Sequence, residues 1–289
     1  GRQWDLASAD LIDYARERGW CKGSADFDFA GCYSEPIYTR AGAGISRQAC
    51  TTGLLQNEHG KLTLPTIFGL LRTHADATPL RKRESLRLTG KDIQVNSSPM
   101  KDTGEWTPDR AIFGAQVCMH TGWGPVRESQ SVGSMVARLD DSWDEIWATG
   151  TSAPCTGIFK PVWMDVDLPD LGPSPRGTYD GKSLWWRHEM LHREVLRDYP
   201  RRMKVYSAQR DALESQFLAG AQAVRGLSKQ ERLDFSTACF EKAGQASAEW
   251  LKMVQMTVPQ RTLRLYYRLA WKKINRRAQL EPVAIAKEG

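Results

Sequence analysis

The sequence predicts an α+β fold with its elements segregated, strands in the first part of the chain and helices in the second. Three observations carry that expectation. Residues 112–119, 134–139 and 145–151 are apolar-rich, β-prone runs, the last two joined by the turn formers Asp140-Asp-Ser-Trp-Asp144. From residue 183 onward apolar side chains recur at helical spacing instead. Between the two regimes, residues 166–177 are rich in proline and glycine. They divide the chain into a β-rich part, 1–178, and a helical part, 179–289.

Taken in order, residues 5–10 followed by Leu11, Tyr14 and Ala15 predict a short capped helix that stops at Gly19. A second helix is expected over 63–73. Residues 80–108 are polar, with glycines and prolines, and predict a long irregular connection with a short strand at 92–95. The run 134–139 places Met135, Ala137 and Leu139 on one face, and 145–151 contributes Ile146 and Trp147, so the two should pair as an antiparallel hairpin beside the 112–119 strand. Beyond 183, Leu184, Leu191, Val195, Met203, Tyr206, Leu213 and Phe217 share a stripe, interrupted by Pro200. A proline inside a helix removes a hydrogen bond and clashes with the preceding turn, so a break is expected near Tyr199. Ser228 followed by Glu231 has capping-box spacing and predicts a helix over 229–256.

The chain's 289 residues can bury a sizeable core in one large or two small domains. No apolar run approaches the ~20 residues that cross a bilayer. The six cysteines are widely spaced, without CxxC pairs, which points to a reducing, cytoplasmic setting and to Cys118 and Cys155 as small buried hydrophobes. Charge is uneven: residues 1–180 hold 19 basic and 23 acidic side chains, residues 181–289 hold 21 and 11. Much of the basic excess is Arg261, Arg264, Arg268, Lys272, Lys273, Arg276 and Arg277, interleaved at helical spacing with Leu263, Tyr266, Tyr267, Ala270, Trp271 and Ile274. Such a helix suits an anionic surface, but also a solvated face packed on the core, and no specific nucleic-acid partner is expected.

Five stretches, residues 8–20, 27–34, 61–72, 110–163 and 183–193, resemble the secernin and dipeptidase A branch of N-terminal-nucleophile cysteine hydrolases. The resemblance implies an αββα sandwich, antiparallel sheets flanked by helices, of which 1–178 would be the C-terminal part and 179–289 a helical extension packed on it. It implies a cysteine dipeptidase or amidohydrolase acting on short peptides or related amides without a cofactor. Its nucleophile, a terminal cysteine whose own amine serves as base, is expected upstream of Gly1 with the missing N-terminal half of the domain, so the chain alone should be inactive. His120, Arg127, Thr151 and Ser152 are the substrate-binding candidates, Arg127 because a guanidinium offers fixed donors to a carboxylate or oxyanion.

Two alternatives stand beside this. A secernin-like protein can serve in interaction rather than catalysis. His188-Glu-Met-Leu-His192 also matches the HExxH pattern of zinc hydrolases, with Glu214 as the convenient third ligand. Charged Arg187 and Arg193 flank that motif and no further histidine motif follows, so no metal is expected at His188 and His192.

Overall fold

The computed structural model describes residues 6–35, 44–74, 77–79, 93–95, 106–110, 116–122, 129–139 and 145–280. The chain is α+β. Helices α1 (Leu11–Glu17), α2 (Phe29–Tyr33), α3 (Gly44–Asn57) and α4 (Leu64–Leu71) come first. α1 ends before Gly19, whose φ of 72° only glycine adopts without strain. At α4 the Thr63 hydroxyl accepts the Thr66 N–H at 3.3 Å and Pro65 occupies the first turn, where its missing N–H costs nothing. Strands β1 (Ala77–Pro79) and β2 (Ile93–Val95) form a two-stranded antiparallel ladder beside α3.

Among the described residues the main sheet has three antiparallel strands in the order β3 (Met135–Arg138), β4 (Glu145–Ala148), β5 (Lys160–Trp163). The β3–β4 pairing is the hairpin expected from sequence, with Val136 opposite Trp147; its turn, 140–144, lies outside the described residues. Met135, Ala137 and Leu139 share the solvent side, and Val136 is the β3 side chain that enters the core. One expectation is corrected. The third strand is β5, whereas Gln116–His120 runs as irregular chain and 111–115 lies outside the described residues. Among the described residues β5 pairs on one side, which is where Pro161 is tolerated, and helices of the second half pack against it.

Those helices are α5 (Leu184–Leu196), α6 (Tyr199–Met203), α7 (Ser207–Val224), α8 (Lys229–Met256) and α9 (Leu265–Arg277). The break near Tyr199 is present: α5 ends at Leu196, and Pro200 falls in the first turn of α6. Arg202 secures the corner, donating to the Glu194 carboxylate at 2.7 Å and to Thr257 O at 2.9 Å. α8 starts on a complete capping box between Ser228 and Glu231.

Sheet and helices share their cores. Phe68 stacks on Phe159 at 4.1 Å and packs with Trp147, Val136, Phe217, Ala221 and Ala243. A second cluster gathers Cys118, Ala153 and Cys155 with Leu191, Val195, Tyr199, Met203, Tyr206, Trp250 and Val254. Full burial of each large side chain contributes ~1.5–3 kcal/mol. Lys160 is buried in the sheet because Thr149 O and Ile158 O accept from its Nζ at 2.6 and 2.8 Å; burial lowers its pKa to about 7.

Candidate metal centre

Four side chains from three distant segments meet at the edge of the second core. His74 follows α4, Cys118 and His120 lie on the 116–122 loop, and Cys155 lies on the turn between β4 and β5. His74 Nε2 is 3.0 Å from His120 Nε2, and the Cys118 and Cys155 sulfurs are 3.5 and 3.4 Å from that same nitrogen. All four ligand atoms lie within 4.8 Å of one another. Zn–N bonds of ~2.0–2.1 Å and Zn–S bonds of ~2.3 Å give tetrahedral edges of roughly 3.3–3.8 Å; the two sulfur distances to His120 Nε2 fall in that range, the 3.0 Å between the imidazole nitrogens is shorter, and the spread of up to 4.8 Å is longer.

The backbone fixes these segments against one another. Cys118 N donates to Thr73 O at 3.0 Å, Ser131 N to Met119 O at 2.9 Å, and Ala153 N to Ser131 O at 2.7 Å. Ala153 turns the chain with a φ of 46°, uncommon for a residue with a side chain. The turn's carbonyls are held from beneath: Pro154 O and Gly157 O accept from Arg72, Cys155 O from Arg210, and Thr156 O from the Tyr206 hydroxyl. Glu214 anchors Arg72 through a paired contact at 2.7 and 2.8 Å. Gly122 closes the loop with a φ of 139°; a Cβ there would sit 2.2 Å from a Tyr267 ring carbon of α9.

A chain of buried partners sets the orientation of His120. Glu189 accepts from the Ser152 hydroxyl at 2.5 Å, from Arg193 Nε at 2.9 Å and from His192 Nδ1 at 3.1 Å. In the tautomer with its proton on Nδ1 toward Glu189, His192 offers its Nε2 as acceptor to His120 Nδ1 at 3.0 Å. The lone pair of His120 Nε2 then points at His74 and the two sulfurs. A carboxylate that orients a ligating imidazole is the usual outer support of a metal site, here extended by one histidine.

The electrostatics fit the same picture. Burial lowers the His120 pKa to about 4, so this imidazole is neutral at pH 7, as a ligand must be. Burial pushes the Cys118 thiol well above the ordinary thiol range. Burial also acts to raise Cys155, but the Cys118 thiol, His120 and His74 outweigh it and hold Cys155 well below that range. At Glu189 burial is likewise outweighed, by His192, Arg193 and Ser152, and its pKa falls to about 2. Cys118, its thiol pushed up, would need a bound cation to lose its proton; two thiolates and a dication would sum to zero.

Comparison with protein-family models, curated proteins and solved structures gives no match. The site therefore has to be read from its own chemistry.

Of the residues singled out from sequence, His120 is at the centre and Ser152 supports it through Glu189. Thr151 is buried beside them with its hydroxyl unpartnered among the described residues; Arg127 lies outside the described residues. The HExxH set does not converge. His192 faces His120, His188 faces the Thr156 hydroxyl at 3.2 Å, and Glu214 is engaged by Arg72 and the Phe159 N–H. Cys118, Cys155 and His74 were missed as ligands. Only the Cys118-Met-His120 spacing hinted at them.

Proposed function

We propose that the protein is a metalloprotein in which His74, Cys118, His120 and Cys155 hold one zinc-type ion as a closed, structural centre. The observation that carries this is the gathering of four ligand atoms within 4.8 Å of one another, with His120 backed by His192 and Glu189. A set of two thiolates and two imidazoles suits zinc. Four protein ligands complete that coordination, and three of them are buried, so the ion's role is to clamp the β4–β5 turn, the 116–122 loop and the end of α4 together. This departs from the metal-free expectation drawn from sequence.

The test is metal stoichiometry. Protein refolded with zinc and dialysed should retain one equivalent; Cys118→Ser and Cys155→Ser should each lose it, while His188→Gln should keep it. Retention by both cysteine variants overturns the assignment.

The secernin-like hydrolase reading, with its αββα sandwich and upstream cysteine nucleophile acting on short peptides or amides, is supported by the sequence motifs alone. The geometry adds nothing to it. Cys118 and Cys155 are fully buried among imidazoles, and Ser152 is spent on Glu189.

A further inference from the structure

Residues 250–280 contain eight cationic side chains and no acidic one. Most fall on or beside α9, whose inner side is already occupied. Tyr267 is buried, Trp271 packs on the second core, Tyr266 donates its hydroxyl to Asp109 O, and Asn275 accepts from Arg193 at 2.5 Å. The outer side is different. Arg264, Leu265, Arg268, Leu269, Lys272, Lys273 and Arg276 are all exposed, and none of these cations forms an ion pair among the described residues.

At 3.6 residues per turn the two leucines, four apart, fall at the centre of this exposed arc. Arg264 and Arg268 flank them on one side and Lys273 on the other. Leu265 is 66% exposed and Leu269 56%, and the approach to the helix adds Met256 at 76% and Val258 at 67%. A purely solvated face needs no such apolar centre. A nucleic-acid surface would present aromatic rings for stacking, but the rings of α9 are turned inward. Leucines ringed by cations match a bilayer interface: apolar groups enter the acyl boundary while the cations meet anionic headgroups.

We propose that the outer face of α9 is a docking surface for an anionic lipid bilayer, on which the helix lies in the plane of the interface. The test is sedimentation of the full chain with phosphatidylcholine vesicles, with and without a minority of phosphatidylserine. Binding should require phosphatidylserine and weaken with salt. Lys272→Ala/Lys273→Ala should lower the partition coefficient about thirtyfold, at roughly fivefold per cation. Leu265→Ser/Leu269→Ser should lower it roughly tenfold. Both pairs are exposed, so an unchanged thermal midpoint verifies the fold. Equal binding to both vesicle types, or none, overturns the proposal. So does wild-type vesicle binding by the leucine variant, and salt-sensitive capture of duplex DNA or RNA in place of vesicles would reassign the face to a phosphate backbone.

Discussion

Replacing Glu189 with glutamine removes one charge and keeps the shape, which isolates the support behind His120. The carboxylate is fully buried and serves Ser152, Arg193 and His192 at once. Glutamine has a single acceptor oxygen, so its amide N–H₂ must face a donor. Removing one partner of a buried ion pair costs about 3–5 kcal/mol. The pKa gives a compatible figure: a drop from 4.5 to about 2 corresponds to about 3 kcal/mol. Because the folded-state pKa is depressed, that stability is present above pH ~4.5 and is lost as pH falls towards ~2. Urea unfolding at pH 7 should show Glu189→Gln about 3 kcal/mol less stable, with the loss shrinking at acid pH, and chelator competition should show zinc held about 10–100-fold more weakly. A stability loss under about 1 kcal/mol together with unchanged zinc affinity refutes the orienting role.

Two further outcomes follow from the packing. Gly122→Ala should displace α9, because its Cβ would meet Tyr267 at 2.2 Å on a backbone with a φ of 139°; a thermal midpoint and Trp271 fluorescence matching the parent protein would contradict this. His188 is buried and neutral, its pKa lowered by burial to about 3, so below pH ~6.5 the unfolded state binds a proton that the folded state does not. Stability should therefore fall by up to about 5 kcal/mol as pH drops from ~6.5 towards ~3, and urea midpoints measured against pH should show a flatter slope in His188→Gln.

Elements with local signals were legible in the sequence. Thr63, Ser228 with Glu231, and Pro200 marked helix ends through groups that act within one turn. The β3–β4 hairpin was legible for the same reason. Its face was not, because alternation shows that Met135, Ala137 and Leu139 share a side but not which side is wet. β5 was hidden by Lys160-Pro161, a pair that suits a strand only where carbonyls receive the lysine and the edge admits the proline. The centre was least legible. Its ligands are separated by 46 and 35 residues, and only the fold brings them together. The HExxH spacing drew attention to His192, which supports a ligand from the neighbouring position.

The central claim is that two sulfurs and two nitrogens enclose one ion, and cobalt substitution reads that coordination directly. Cobalt-loaded protein should show intense tetrahedral d–d bands together with thiolate-to-cobalt charge transfer of two-thiolate strength. Cys118→Ser and Cys155→Ser, which should lose the ion, should each lose these bands with it. A pale six-coordinate spectrum without thiolate bands, or one unchanged by either substitution, would contradict the centre described for this chain.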